Sequence, residues 1–365
     1  MTKNICILAG ARPNFIKVSP LVRAIDRSQE SGDGSRQARC FLVYAGSADD
    51  PTLEPSLFDD LQIAPPQYYL GVVSTSLNEI TSQVMAQFDR FLDEHPVDVV
   101  IVVDDLASTM AAAIVTKKRG IRLAHLVAGT RSFNINMPKE INRLVIDALS
   151  DYLFTAGVRS TGVATREQSE QSQTFMVGNI LMDTLRFNHD RLRRPASLPD
   201  LEEGSYLVFT LNRRALLADE GNLRKMLSAL TEAAGSTPVI APLRSSASNV
   251  FSFLIPHSSF LKIIPPLSYL DFGWLTAHAL GVITDSGNVA EEATFNGVPC
   301  ITLNDYTEHQ ETVTVGSNVL VGENPEKLRE AVARMVRGEW KRSALPDRWD
   351  GRTADRILQI LLREE

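Results

Sequence analysis

The sequence has few cysteines, no long apolar run and no export signal. Its three cysteines, Cys6, Cys40 and Cys300, are far apart, odd in number and without CxxC spacing. This pattern argues against a disulfide framework and against a thiolate zinc site, and it fits a reducing compartment. No stretch of about 18 apolar residues occurs, and the apolar N-terminal segment is too short for a secretion signal. We therefore expect a cytoplasmic protein that does not associate with a membrane.

A concentrated basic segment is also missing. The chain of 365 residues has 44 acidic and 37 basic residues, which gives a formal net charge of −7. Because non-specific nucleic-acid binding depends on the neutralisation of phosphates, this balance argues against a nucleic-acid partner. An anionic small molecule remains a candidate ligand where Arg and Lys cluster locally. The length favours two domains, and the sequence contains neither a low-complexity tract nor a short repeat.

Short apolar runs alternate with segments of helical period along the whole chain, which predicts parallel sheets with crossover helices. The segment 194–205, RPASLPDLEEGS, interrupts this rhythm with prolines, a glycine and acids. We predict an α/β protein with two Rossmann-like doubly wound domains, in which ligands bind at the carboxyl ends of the strands. The predicted domains are 1–193 and 206–345, with 194–205 as linker and 346–365 as a C-terminal helical segment. The predicted strands are 4–10, 39–46, 97–103, 122–128, 152–156, 174–178, 206–211, 238–243, 260–264, 281–285, 299–303 and 318–321.

Two segments place charged residues where a strand meets a helix. In GARPNFIK, residues 10–17, Arg12 and Lys17 would offer two cations beside a helix N-terminus, which favours an anion. The segment lacks the GxGxxG pattern, so NAD is not implied and no cofactor is predicted. The alternative is that both cations are solvated surface residues.

The second segment is TDSGNVAEE, residues 284–292. Ser286, Gly287 and the first-turn amides could hold a diphosphate, while an acid one turn later could accept hydrogen bonds from ribose hydroxyls. The alternative is that Asp285 or Ser286 caps the helix and that the two glutamates favour its dipole.

Taken together, the motifs resemble the UDP-N-acetylglucosamine 2-epimerase family, in its non-hydrolysing branch. The resemblance covers nearly the whole chain. It is carried by GARPNFIKVSPL at 10–21, DDLASTMAAA at 104–113, HLVAGTRSFNINMPKEINR at 125–143, FMVGNILMDTL at 175–185, LSYLDF at 267–272, TDSGNVAEEATFNGVPCITLNDYTEH at 284–309 and SNVLVG at 317–322.

This resemblance implies a glycosyltransferase-B arrangement of the two domains, with a UDP-sugar in the interdomain cleft. It also implies that the final helix packs back on the first domain and that the protein is a homodimer. The family inverts carbon 2 of the sugar by eliminating UDP and adding it back on the other face. This chemistry needs a positioned base, an acid on the opposite face, and cations that take up the charge of departing UDP.

Several positions depart from the family pattern. Val127 stands in place of the carboxylate in HVEAG, Lys139 replaces the first carboxylate of PEEINR, and Asn212 replaces the histidine of THR. The GQH motif appears as Gly46-Ser47-Ala48, and Asp104 occupies the glycine position of GD. Because each general acid or base contributes about 10²–10⁴-fold, these losses predict impaired or altered epimerisation.

Other positions are retained. The resemblance assigns a substrate-binding role to Arg12, Lys17, Arg143, Arg213, Ser286, Gly287, Asn288 and Glu292, and to His309, which stands where the family has an arginine. Asp105, Glu140 and Lys139 are the catalytic candidates. For Asp105 the alternative is a cap of helix 106–119, and for Lys139 it is a structural ion pair with Asp105. We interpret His125 as a hydrogen-bonded core histidine rather than a ligand.

Three functions are compatible with these residues. The first is an epimerase-like protein that binds a UDP-N-acetylhexosamine, with altered chemistry at carbon 2. The second is a non-catalytic nucleotide-sugar-binding or scaffolding protein of a polysaccharide or secondary-metabolite pathway. The third is a glycosyltransferase-like enzyme of the same architecture, which rests on analogy of fold alone.

Overall fold

The computed structural model describes residues 2–30, 37–244, 247 and 261–363. The described residues form two compact units, one of residues 1–187 with 347–365 and the other of residues 188–346. The unit boundary lies a few residues before the predicted linker, and residues 192–206 contain no helix or strand. The first residue of the strand predicted at 260–264 lies outside the described residues.

The described part of the first unit contains a seven-stranded parallel sheet in the order β3-β2-β1-β4-β5-β6-β7. Its strands are β1 (Lys3–Ala9), β2 (Ala38–Tyr44), β3 (Tyr68–Tyr69), β4 (Val99–Val103), β5 (Arg122–Leu126), β6 (Tyr152–Thr155) and β7 (Gln173–Met176). The helices are α1 (Arg12–Glu30), α2 (Pro55–Leu61), α3 (Leu77–Glu94), α4 (Ala107–Lys118), α5 (Pro138–Leu149), α6 (Val158–Glu167) and α7 (Ile180–Asn188). All five residues of β4, VVIVV, are buried, as a central strand covered on both faces requires.

The described part of the second unit contains a six-stranded parallel sheet in the order β10-β9-β8-β11-β12-β13. Its strands are β8 (Leu207–Thr210), β9 (Val239–Pro242), β10 (Leu261–Ile264), β11 (Gly281–Thr284), β12 (Cys300–Thr302) and β13 (Asn318–Leu320). The helices are α8 (Arg214–Ala218), α9 (Glu220–Ala234), α10 (Tyr269–Ala277), α11 (Gly287–Asn296), α12 (Gln310–Thr314) and α13 (Pro325–Val336), with a short 3-10 helix at His189–Arg191. Both strand orders are those of doubly wound sheets, which confirms the predicted α/β class.

The last helix, α14 (Thr353–Arg363), belongs to the first unit. The Asp183 carboxylate in the first turn of α7 accepts the backbone N–H groups of Thr353 and Ala354 at 3.0 and 2.8 Å, which satisfies two donors of the first turn of α14. The carbonyl of Leu361 accepts a hydrogen bond from Lys3 Nζ at 2.6 Å. The C-terminal segment is thus fastened at both ends to the unit that begins the chain.

Candidate functional site

Two aspartates follow β4 directly, at the carboxyl edge of the first sheet. Asp104 has a backbone φ of 60°, in the left-handed region. Its carboxylate lies 2.6 Å from Lys17 Nζ and accepts a hydrogen bond from Asn14 Nδ2 at 2.9 Å. Lys17 and Asn14 belong to the first two turns of α1 and are almost fully buried. The predicted cation at Lys17 is therefore not a solvated surface residue.

Asp105 is bound by two cations of α5. Its Oδ2 accepts from Arg143 Nε at 2.8 Å, and its Oδ1 lies 3.5 Å from Lys139 Nζ. Burial alone would raise the pKa of the Asp105 carboxyl, but Lys139, Arg143 and Lys17 outweigh burial and hold the pKa below its ordinary value. Asp105 is thus ionised at neutral pH. The reading of Asp105 as a helix cap is wrong, because α4 begins one residue later than that reading requires and Leu106 is its N-cap.

Glu140 is a buried carboxylate in the first turn of α5. Its carboxylate accepts from the Ser132 N–H and hydroxyl, both at 2.8 Å, from the Phe133 N–H at 3.1 Å and from Arg143 Nη1 at 3.1 Å. Burial would raise the pKa of Glu140, but these donors lower it further than burial raises it. Asn142 donates to the carbonyl of Asp105 at 2.8 Å. These contacts tie the start of α5 to the loop that follows β4.

Lys139 differs from its neighbours on α5 because its side chain is 59% exposed. Its contact with Asp105 is the ion pair that the sequence offered as the alternative to a catalytic lysine. A cation in the first turn of a helix opposes the helix dipole, and Asp105 offsets that cost.

His125 is a buried, fully hydrogen-bonded residue of β5. Its Nδ1 lies 2.5 Å from Asp147 Oδ1, and its Nε2 lies 2.9 Å from the carbonyl oxygen of Asp104. Asp147 also binds Arg131 at 2.7 Å, and Arg131 in turn binds Glu167 at 2.9 Å. Both ring nitrogens of His125 therefore face oxygen atoms of the protein. The structure agrees with the interpretation of His125 as a core histidine.

Sequence reasoning missed Asp147, Arg131 and Glu167. Asp147 follows Arg143 by four residues on α5, and both are buried. This spacing puts both side chains on one face of the helix, and it could have identified Asp147 as a neighbour of Arg143 from the sequence.

Val127 follows β5 where the family has a carboxylate. Its φ is 73°, its N–H donates to the Phe154 carbonyl at 3.1 Å, and its own carbonyl accepts from Thr130 Oγ1 at 3.1 Å. A β-branched residue rarely adopts this conformation. The hydrogen bonds hold the backbone there, and the half-buried side chain offers no group that moves a proton.

Arg12 lies at the start of α1 and binds Glu54 through Nε and Nη2, at 3.0 and 2.5 Å to Oε1. Near it, within the first unit, is a cavity of about 480 Å³ lined by Gly10, Tyr44, Gly46 and Asp50 among others. Tyr44 donates to Asp50 at 2.5 Å. Gly46 is the first residue of the segment that the resemblance compared with GQH.

In the second unit, Asp285 directly follows β11 and organises the loop that follows β8. Its Oδ2 accepts the backbone N–H groups of Asn212 and Arg213 at 2.8 and 2.6 Å. Burial raises the pKa of Asp285, although these two N–H groups oppose the shift. The Arg213 guanidinium binds Asn304 Oδ1 at 3.0 Å and Glu323 Oε1 at 2.9 Å. The side chain at position 212, where the family has histidine, is exposed.

The start of α11 is a narrow turn against His309. A Cβ added to Gly287 would lie 3.0 Å from His309 Cδ2, so glycine permits this close approach. The Nδ1 of His309 lies 2.9 Å from Glu291 Oε1. Ser286 is the N-cap by position but makes no side-chain capping bond, and the first turn of α11 contains no acid. The alternative reading is thus right about Ser286 as the N-cap residue, but wrong about the glutamates, which lie beyond the first turn of α11.

The predicted site residues thus form two sets, each within its own unit. The first unit holds Arg12, Lys17, Asp105, Lys139, Glu140 and Arg143. The second holds Arg213, Ser286, Gly287, Asn288, Glu292 and His309. Within the first set, one charged network joins Asp105 to Lys139, Glu140 and Arg143 of α5, while Arg12 is paired separately. Within the second, Glu292 is buried on α11 and Asn288 is half-buried near its start.

Among the described residues, no group of three His, Cys, Asp or Glu side chains is arranged to hold a metal ion. In the same part of the chain, no helix combines the length and apolar character needed to cross a membrane.

The two parallel sheets, flanked by helices and carrying charged side chains where their strands end, define an α/β protein with two Rossmann-like units. The family model described as UDP-N-acetylglucosamine 2-epimerase matches residues 33–362. The chain belongs to this family, which confirms the resemblance read from its motifs.

Individual relatives agree with this assignment. The UDP-N-acetylglucosamine 2-epimerase of Methanocaldococcus jannaschii is 32% identical, over 97% of this chain and 98% of that protein. A UDP-2,3-diacetamido-2,3-dideoxy-D-glucuronate 2-epimerase of Pseudomonas aeruginosa is also 32% identical, over 87% of this chain and 88% of that protein. The crystal structure of the M. jannaschii enzyme with UDP-GlcNAc and UDP superposes with a TM-score of 0.85, at 30% identity and with 100% of both chains covered.

Proposed function

We propose that this protein binds a UDP-N-acetylhexosamine and that its epimerisation at carbon 2 is impaired or altered. The observation that carries this proposal is that the chain retains the family's nucleotide-binding residues but not all of its catalytic residues. Arg12, Lys17, Arg213 and the Ser286–Gly287 turn are retained, whereas two carboxylates and a histidine are replaced. The M. jannaschii relative, crystallised with UDP-GlcNAc and UDP, supports the ligand class.

The residues of the second unit are assigned to the nucleotide diphosphate. The N-terminus of α11 offers backbone N–H groups without a side-chain cap, which suits a phosphate. Arg213 lies beside the Asp285 turn and supplies a cation, and Glu292, as the resemblance implies, is assigned to the ribose. His309 takes the place of a permanent cation, so the diphosphate has weaker electrostatic support here than in relatives with arginine.

The residues of the first unit are assigned to the sugar. Asp105 is ionised, but it is buried, and Arg143 and Lys139 lower its basicity. Glu140 is fully occupied by its four donors. Lys139 is the one exposed charged group of this network and is the candidate for a new acid or base. No carboxylate at position 127 is available for the opposite face of carbon 2.

The sugar itself belongs to a class rather than to one compound. The P. aeruginosa relative acts, by its name, on a diacetamido uronate, while others act on UDP-N-acetylglucosamine. We propose a 2-acetamido sugar nucleotide of a polysaccharide pathway, a cytoplasmic location and a homodimer. These three points rest on the family and on the sequence.

Calorimetric titration with UDP and with UDP-N-acetylglucosamine tests binding. Saturable binding of both ligands is expected, and flat titrations would contradict the proposal. Incubation with UDP-N-acetylglucosamine in deuterium oxide then tests chemistry. We expect deuterium at carbon 2 to enter at least about 10²-fold more slowly than in a relative with all carboxylates, since each missing group contributes about that much.

A variant in which the family residues are restored tests the cause of the impairment, and a variant at an exposed residue is its control. The triple variant Val127→Glu, Lys139→Glu, Asn212→His should gain exchange at carbon 2, whereas Val73→Glu, a change at an exposed loop residue, should gain none. Exchange in the wild type as fast as in a relative with all carboxylates would show that catalysis is not impaired, whereas slow exchange without any gain in the restored variant would show that the pocket itself has changed.

The second candidate is a binding protein without catalysis. It is favoured by Val127, because valine cannot transfer a proton. Binding of the UDP-sugar without deuterium uptake or release of free UDP would identify this function.

A further inference from the structure

Lys17 and Asp104 form a short ion pair deep in the carboxyl edge of the first sheet. The Nζ–Oδ1 distance is 2.6 Å, and the other carboxylate oxygen of Asp104 accepts from Asn14 Nδ2 at 2.9 Å. Asn14 is itself oriented, because its Oδ1 accepts from the Gly10 N–H at 2.8 Å. Both oxygens of Asp104 are therefore held by donors of α1 whose residues are only 5% and 2% exposed.

The Lys17 ammonium group and the Asn14 amide form an arrangement of donors that can bind an anion. A buried ammonium group and an oriented amide N–H point to the same place, beside the start of a helix of 19 residues. In this structure that place is taken by a carboxylate of the chain itself. Asp104 thus neutralises Lys17, as Glu54 neutralises Arg12.

The backbone of Asp104 is fixed independently of its carboxylate. Its N–H donates to the Leu126 carbonyl at 3.3 Å, and its carbonyl accepts from His125 Nε2 at 2.9 Å. With φ at 60°, the position suits glycine best, and asparagine and aspartate better than most other residues. The turn therefore does not need the carboxylate, and rotation of the side chain alone would break the ion pair between Asp104 and Lys17.

We propose that Asp104 is an internal counter-ion that competes with an anionic ligand for Lys17 and so lowers the affinity of this site for a phosphate-bearing ligand. The proposal deepens the proposed function and rests on it, because it assumes that Lys17 takes part in binding the ligand. When the anion binds, the Asp104 carboxylate turns away from Lys17 and Asn14 while its backbone stays in place.

The experiment compares the wild type with Asp104→Gly and Asp104→Asn by calorimetric titration with UDP and with inorganic pyrophosphate. Both variants fit the left-handed backbone and remove the charge. We expect UDP to bind at least about tenfold more tightly to each, since a charge-assisted hydrogen bond to Lys17 becomes available. Asp89→Asn is the control for net charge, because Asp89 is exposed and pairs with Arg119 at 2.6 Å.

A second comparison assigns the gain to Lys17. In a Lys17→Met background, Asp104→Gly should give no gain in affinity, and a gain that persists there would overturn the proposal. Equal, finite affinities in the wild type and both Asp104 variants would also overturn it while leaving the proposed function intact. A flat wild-type titration with clear binding by the Asp104 variants would support the counter-ion and contradict the proposed function of the wild type. If no variant binds either probe, both are overturned.

Discussion

At position 127, the variant with glycine should be more stable than the variant with alanine, which is the reverse of the usual order of stability. At most positions a protein with glycine is less stable than one with alanine, because the greater conformational entropy of glycine stabilises the unfolded chain by about 0.4–1 kcal/mol. Val127 has a φ of 73°, where a residue with a Cβ carries a cost of about 1–2 kcal/mol. Glycine removes that cost and alanine keeps it.

The magnitude follows from the difference of these two terms. Val127→Gly should leave the first unit about 0.5–1 kcal/mol more stable than Val127→Ala does. Both variants lose nearly all of the valine side chain, so its burial largely cancels in the comparison. Val73 is the matched position, since it is 75% exposed and lies outside the set of residues with positive φ. There, Val73→Gly should be less stable than Val73→Ala by a similar amount.

The four variants can be compared by urea unfolding of the full chain, with hydrogen–deuterium exchange of β4 and β5 reporting the free energy of unfolding of the first unit. The signature is an opposite sign of the glycine–alanine difference at the two positions. If alanine proves the more stable residue at both, the left-handed strain at Val127 does not exist and the reasoning fails.

Three further predictions concern single ionisable groups. Burial raises the pKa of Asp183 from 3.8 to about 6, so the stability provided by its neutral form is present below pH 4 and is lost as the pH rises through 6. Asp183→Asn should flatten that dependence of the free energy of unfolding, by up to about 3 kcal/mol; an unchanged pH profile would contradict it. Asp105→Asn should destabilise the first unit by about 3–5 kcal/mol because Arg143 loses a buried partner, whereas Asp89→Asn should cost far less in the same urea titration because the Asp89 carboxylate is exposed. His309→Arg should tighten UDP binding about three- to tenfold in calorimetry, since it restores a permanent cation beside α11; weaker binding would place His309 away from the diphosphate.

Much of the fold could be predicted because its long elements have strong patterns. The run VVIVV of β4 lies within the strand predicted at 97–103, and the helical period of the sequence predicts helices near 78–94 and 325–336, where α3 and α13 lie. The short elements were missed. Helices α2, α8 and α12 have five to seven residues, too few for a helical period to appear in the sequence.

The candidate site was predictable only in part. The neighbourhood of Asp105 and Arg143 followed from motifs whose order and spacing are those of a known family. The pairs Arg12–Glu54 and Arg213–Glu323 join segments that are distant in sequence, and no local pattern encodes them. The conformation of Asp104 was equally hidden, because a positive φ at a residue other than glycine is set by the hydrogen bonds around it.

The return of α14 to the first unit bears on how the chain folds as it leaves the ribosome. Ala354, Ile357, Leu358 and Leu361 are buried on this helix, so the surface that receives them stays open to solvent until residues 353–361 have been synthesised. Residues 188–346 are made in between, which takes about 10–30 seconds at ordinary elongation rates. The first half of the nascent chain therefore waits, incomplete and with an apolar surface exposed, for the second unit to be synthesised.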